Sequence, residues 1–288
     1  MPINSTISGF IYNKEIFTEL GLTEPETEDE FFALLEKIKT HGEYVPLALG
    51  TSDQWESTTM GYHNIGPNYW KGEEGRLAVI AGTQKLTDEP WVAPLRTLKR
   101  WSDYMGEGYQ ARSYPDSQNL FTLGRAAIFP AGSWEISVFE KQADFDMDAF
   151  RAPVVKKGDP CFILDHTGMG MGVNAAGPNR EAAMKFVEWM ATPEYAQLLV
   201  SALPGFFSLS NHDVKIDHPI AAKFLSWRKD CGSTIRASYH IVSRGTPTLE
   251  NETWRATANV LNGTETPEEA AKRLQDGLAS WYEPQKGK

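Results

Sequence analysis

The side chains that could run a reaction in this chain are scattered rather than clustered. Its six histidines are His41, His63, His166, His212, His218 and His240. They form no HExxH pair and have no cysteine or carboxylate at zinc-ligand spacing. No GxSxG elbow, Walker loop or kinase signature occurs. Carboxylates are plentiful, so counting them does not exclude a glycosidase pair. Most of them fall in helix first turns or on charged faces, where capping and solvation account for them. The residues therefore read as a non-enzyme without metal or cofactor, with a carbohydrate-active enzyme as the lesser alternative. What the chain offers instead is flat aromatic surface. Nine of its 288 residues are tryptophan and 11% are aromatic. Indole faces suit the C–H faces of sugar rings, although tryptophan also fills cores.

That aromatic chemistry centres on Leu120–Ile136, LFTLGRAAIFPAGSWEI. The apolar run Ala126–Pro130 predicts a buried strand. Ala131, Gly132 and Ser133 then turn the chain and present Trp134, and small residues let the backbone approach whatever the indole faces. Taken alone, a core strand with a buried tryptophan is the stronger reading. The flanking chain shifts the balance by supplying further candidates for one cleft. After Gly50 comes a loop-like segment holding Asp53, Gln54, Trp55, His63, Asn64, Asn68, Tyr69 and Trp70. Loops that follow strands are where α/β proteins place ligand contacts. Trp91, Leu95, Leu98, Trp101 and Met105 recur at helical spacing and read as a core-facing stripe. Ser113–Gln118 reads as a polar loop.

These candidates need a frame, and the frame alternates strands with helices. Ile7–Tyr12 predicts a strand feeding a short helix that Gly21 closes. Thr27 and Glu30 form a capping box ahead of a helix with Phe31, Leu34, Leu35 and Ile38 on one face. Val45–Leu49 and Arg151–Val155 predict two further strands. Gly168, Gly170 and Gly172 alternate on an extended segment, a weak nucleotide signal that close backbone approach or a hinge explains as well. Asn179 and Thr192 open two helices, Leu203–Ser208 reads as a turn and a second crossing, and Pro219–Trp227 predicts another helix. Helices around Trp254–Leu261 and from Thr266 close the chain. Strand–helix alternation of this kind predicts an α/β layered fold.

Composition sets the outer limits. The chain is 41% hydrophobic and 23% charged, ordinary for a globular protein, and its length suits two domains or lobes. A net charge of −10 argues against nucleic acid and anionic membrane as partners. No window approaches ~18 consecutive apolar residues. The N-terminal MPINSTISGF lacks the basic and apolar regions of a secretory signal, which suggests a mature or truncated chain. Cys161 and Cys231 lack CxxC spacing; they could pair, but their positions say little about compartment.

Five segments in order carry a resemblance to a known family. FIYNKEIFTELGL followed by ETEDEFFALLEKIK resembles the solute-binding proteins of bacterial ABC transporters, in particular the sugar and glycerophosphodiester group (extracellular solute-binding protein family 1). LFTLGRAAIFPAGSW is similar to that group's glycine–serine–tryptophan segment. GVNAAGPNREAAMKFVEWMATPEYAQ is similar to its paired helices, and LPGFFS and GTETPEEAAKRLQDGL match later landmarks. The resemblance implies an α/β, two-lobe periplasmic-binding-protein fold of type II, with most of the first lobe missing. In that scheme residues 1–11 are a hinge strand entering from the missing lobe, and 12–164 and 208–288 form the C-terminal lobe. Residues 165–207 are an excursion into the N-terminal lobe. Its apolar faces, Met169, Met171, Val173, Phe186 and Met190, would lack their sheet and favour self-association.

The function so implied is binding without catalysis. Two lobes close by a hinge on a small solute, and the closed form docks on an ABC permease in the periplasm or outside the cell. The resemblance puts Trp55 at a stacking position, Ser133 and Trp134 at the glycine–serine–tryptophan contact, and Gly168 and Met169 just past a hinge. Arg244 falls where phosphodiester-binding relatives hold an anion; a surface salt bridge is its alternative role. Asp53, Gln54, Tyr239, His240 and Trp254 complete the expected contacts. A sugar or oligosaccharide is the expected ligand, with a glycerol-3-phosphate or glycerophosphodiester ligand as the alternative.

Overall fold

A computed structural model describes residues 1–287. Its organising element is the long strand β1 (Asn4–Asn13), buried along its whole length. Around it lie β2 (Val45–Leu47), β3 (Ala126–Gly132), β4 (Met147–Phe150), β5 (Phe162–Thr167), β6 (Phe207–Ser208) and β7 (Gly232–Thr234). The sheet order is β2-β3-β1-β5-β7, with β4 and β6 also pairing β1. The far half of β1 pairs antiparallel with β3 (Ser8 opposite Gly132, Tyr12 opposite Ile128) and with β4. Its first half pairs with β5 and β6. One strand thus joins the body of the molecule to the segment that follows β5.

Apolar residues fill two separate clusters. The larger surrounds the far half of β1, where Phe10 stacks on Phe150 at 4.9 Å and contacts Phe31 and Trp101. Trp91 and Trp101 are 1% and 0% exposed, so the helical stripe does face the core. The smaller holds Ile3, Met190 and Leu199, with Trp189 and Tyr195 against them. It belongs to the helices Arg180–Trp189 and Pro193–Ala202. The first of these buries none of its residues, and Met184 and Phe186 stand exposed along it. Met169 and Met171 are exposed as expected, whereas Met190 is not, because Ile3 and Leu199 cover it.

Local signals account for much of the element pattern. The capping box expected at Thr27 is present, with Glu30 reaching back to the Thr27 N–H. A second one, Thr266 with Glu269, opens the last long helix. Three expectations need correction. From Trp55 on, the segment after Gly50 is helical and largely buried: Ser57–Tyr62 is a π-helix, and short helical turns continue to Trp70. Its buried hydroxyls are satisfied by Thr257, 2.8 Å from Ser57 and 2.7 Å from Thr58, so the polar run does not need solvent. Ser113–Gln118 is the cap and first half of the helix Tyr114–Thr122; Ser113 and Asp116 make its capping box. The strand expected at Arg151–Val155 lies earlier, at β4, because Pro153 has no N–H to give a ladder; only Val154 bridges, to Thr27.

Cys161 and Cys231 are joined in a disulfide with Cα atoms 4.8 Å apart. It clamps the start of β5 beside β7, where the Gly232 N–H also donates to the Cys161 carbonyl. No helix among the described residues is long and apolar enough to cross a membrane.

Candidate functional site

A cleft of about 580 Å³ opens where β1 passes between the two clusters. Trp55, Tyr114 and Trp134 line it from the body, together with Thr59, Gln118 and Glu135. Gly168, Met169, Leu203 and Phe206 line it from the segment beyond β5. Thr6, His166 and Arg236 also contribute. The Trp55 ring meets Tyr114 edge-on at 4.7 Å, and Trp134 meets His166 edge-on at 6.1 Å. A partly exposed indole held between rings in this way presents a face for an apolar surface.

The rings are locked by a polar chain. The Trp134 Nε1–H donates to the Tyr114 hydroxyl at 2.9 Å, and that hydroxyl donates to Glu135. The Gln118 amide donates to the other Glu135 oxygen at 2.8 Å. The Asp53 carboxylate accepts from the Tyr114 backbone N–H at 2.6 Å, which anchors the start of that helix. Burial pushes the Glu135 carboxyl up to about 7 and the neighbouring Glu56 up to about 8. Burial also pushes His166 down to about 3 and His63 to about 4, so both imidazoles are neutral at physiological pH.

Several polar atoms of the lining have no partner among the described residues. They are the Thr6 hydroxyl, His166 Nδ1 and Arg236 Nε. These atoms are shielded and lie behind the cleft surface rather than on it. The Arg236 guanidinium is otherwise engaged, 3.0 Å from Glu250 and stacked over Tyr239.

Two glycines let these walls come together. At Gly168 a Cβ would lie 2.4 Å from Asn4 Oδ1, the atom that accepts from the Met169 N–H. At Gly132 a Cβ would lie 1.8 Å from the Trp134 ring, so the indole folds back over its own strand. Gly132→Ala is therefore expected to displace the Trp134 ring at a cost of ~1–3 kcal/mol. Its near-ultraviolet circular dichroism should change while the far-ultraviolet spectrum stays that of the parent; an unaltered near-ultraviolet spectrum would contradict the contact.

Residues 1–197 match the model of the family described as bacterial extracellular solute-binding protein. The chain belongs to this family. Among curated relatives of this solute-binding chain, a multiple sugar-binding protein of Streptococcus mutans is 26% identical over 302 aligned residues, which cover 99% of the chain and 66% of the relative. A maltotriose-binding protein of Pyrococcus abyssi is 27% identical over 207 residues, 69% of the chain and 41% of the relative. The chain thus spans about two thirds of the length of the first relative and less of the second. Among solved structures it resembles a chitin oligosaccharide binding protein (TM-score 0.83, 21% identity, 99% of this chain and 72% of that one). It also resembles the SBP RafE in complex with raffinose (TM-score 0.75, 22% identity, 99% and 73%). These likenesses show the fold of solute-binding proteins, and the chain spans 72% and 73% of those two structures.

Of the contacts expected from sequence, Trp55, Trp134, Gly168 and Met169 come together in the cleft. The others take different places. Ser133 is fully buried; its hydroxyl accepts from the Ile7 N–H at 3.1 Å and donates to the Gly205 carbonyl at 2.5 Å, so it ties β1 to the Leu203–Phe206 turn. Asp53 anchors Tyr114, and Gln54 is an exposed turn residue with φ 58°. Tyr239 and His240 are exposed, and Tyr239 reaches the lining only through Arg236. Trp254 donates to Glu250 behind Arg236. Arg244 is exposed and outside the lining. The cation that does reach the cleft is Arg236, eight positions earlier, and no local motif marks it. Tyr114, Gln118 and Glu135 were likewise unread, although Glu135 directly follows the tryptophan that drew attention.

Proposed function

We propose that this chain binds an uncharged sugar or oligosaccharide in the cleft and presents it to an ABC permease at the outer face of a membrane. One observation carries the reading: Trp55, Tyr114 and Trp134 line a cleft whose one cationic side chain among the described residues, Arg236, is already neutralised by Glu250. Aromatic faces stack on sugar rings, which suits an uncharged carbohydrate. The sugar-binding relatives and the raffinose complex support the same class. In this reading the cleft closes by a small rotation about β1 and β5, which link the aromatic wall to the Gly168–Met169 wall.

The phosphodiester alternative is disfavoured by charge. A phosphate in the cleft would compete with Glu250 for Arg236, and Arg244 lies outside the lining. Hydrolysis is not part of this reading. Among the described lining residues Glu135 is the one carboxylate, whereas glycoside hydrolysis ordinarily uses two.

Calorimetric titration with maltotriose, raffinose, chitotriose and glycerophosphocholine tests the reading. A saturable signal with at least one sugar and none with glycerophosphocholine is the expected result, unchanged in Arg244→Ala. Tight binding of glycerophosphocholine alone would overturn it.

A further inference from the structure

Glu135 lies at the base of the aromatic wall. It is fully buried, follows Trp134 directly, and receives two donors from one turn of the helix Tyr114–Thr122: the Tyr114 hydroxyl and the Gln118 amide. Tyr114 in turn accepts the Trp134 indole N–H at 2.9 Å and meets the Trp55 ring edge-on. One carboxylate therefore ends a chain that runs through the aromatic residues of the wall. We propose that Glu135 is the positioning residue of this cleft, and that one proton on its carboxylate resets the Tyr114–Trp134 chain and weakens sugar binding. This rests on the sugar-binding reading above.

The argument is one of donors and acceptors. As a carboxylate, Glu135 accepts from both partners, and a hydroxyl that donates to an anion becomes a better acceptor for the indole N–H. A proton on the oxygen facing Tyr114 sets two O–H groups toward each other, so the tyrosine hydrogen must swing away. A proton on the other oxygen leaves the Gln118 amide facing a donor. The first form reverses the Tyr114–Glu135 bond and the second removes the Gln118 bond, so either one alters the chain that holds the wall. Burial raises this carboxyl to about 7, so the change falls in the neutral range.

The other groups facing Glu135 do not supply the same response. Tyr114 titrates far above this range because burial and the Glu135 charge oppose its ionisation. Glu56, raised by burial to about 8, titrates in the upper part of the same range, so its contribution is separated by Glu56→Gln in the test below. His166, across the cleft beside Trp134, stays neutral, and Arg236 stays paired with Glu250. Asp53 meets only the Tyr114 backbone at this site. Affinity should then fall as pH drops through about 7, and by reciprocity sugar binding should release protons near that pH.

The test follows the Trp134 indole N–H resonance of the ¹⁵N-labelled chain, without ligand, from pH 8.5 to 5.5. A sigmoidal shift centred near neutrality is expected. It should persist in Glu56→Gln and vanish in Glu135→Gln. In Tyr114→Phe the resonance should be displaced and flat. A flat resonance in the parent chain, or an unchanged titration in Glu135→Gln or Tyr114→Phe, overturns the proposal. Calorimetry then uses whichever of raffinose, maltotriose and chitotriose binds. Its affinity should fall about fivefold between pH 8 and pH 6 in the parent and stay constant in Glu135→Gln; equal affinity at both pH values in the parent also overturns it. If none of the three binds while the indole titrates as described, the sugar-binding reading fails instead, and Glu135 stands as the residue that positions the wall.

Discussion

Replacing Trp134 by alanine is expected to weaken oligosaccharide binding roughly 50- to 100-fold. An indole face stacked on a sugar ring removes about 100 Å² of apolar surface from water, worth roughly 2.5 kcal/mol, and each ~1.4 kcal/mol is a factor of ten. The indole is unusually well placed to deliver that contribution. Its N–H is fixed by Tyr114, its ring packs over Gly132, and its other neighbour is the neutral His166. Little orientational freedom remains to be lost on binding. Stability should change less than affinity, because the side chain is partly exposed while the strand beneath it is fully buried. Calorimetric titration of the variant checks this. A loss of less than about threefold would show that the ring does not meet the ligand.

Removing the disulfide by Cys161→Ser with Cys231→Ser is expected to lower stability by about 4 kcal/mol, the chain-entropy value for a loop of this size. The two cysteines are 70 positions apart. Between them lie the Gly168–Met169 wall, both helices of the small cluster and the Leu203–Phe206 turn. The middle of that region has little core of its own: the helix Arg180–Trp189 buries none of its residues, and the separate small cluster beside it draws on Met190 and Leu199 with Ile3 from the N-terminus. Closing the loop therefore limits the unfolded chain where burial contributes least. Urea denaturation of the oxidised and doubly substituted proteins measures the difference; less than about 1 kcal/mol would mean that pairing of β5 with β7 suffices alone.

The parts of the fold that could be read from sequence are those whose cause is local. The Thr27 and Thr266 capping boxes need only residues three apart, and both occur. The stripe from Trp91 to Trp101 needs only helical period, and both tryptophans are buried. The π-helix Ser57–Tyr62 could not be read this way. Its Ser-Thr-Thr run looks like a loop until Thr257, two hundred positions on, satisfies the hydroxyls. The site divides along the same line. Trp55, Trp134, Gly168 and Met169 were legible through the resemblance of their segments to the family. Tyr114, Gln118 and Glu135 were not, because their roles exist only once a helix start lies beside the end of β3. Arg236 displaced Arg244 for a similar reason: what holds it at the cleft is Glu250 on the helix Leu249–Asn262, not its own neighbours.

The most direct test of the account is to watch the indole N–H resonances of the tryptophans while an oligosaccharide is added. Trp55 and Trp134 line the cleft, whereas Trp70, Trp91 and Trp101 are buried in the main core. With raffinose, maltotriose or chitotriose, saturable shifts at Trp55 and Trp134, with Trp70, Trp91 and Trp101 unmoved, are the predicted result. Saturable binding that leaves Trp55 and Trp134 unmoved would contradict it and place the sugar elsewhere on the molecule.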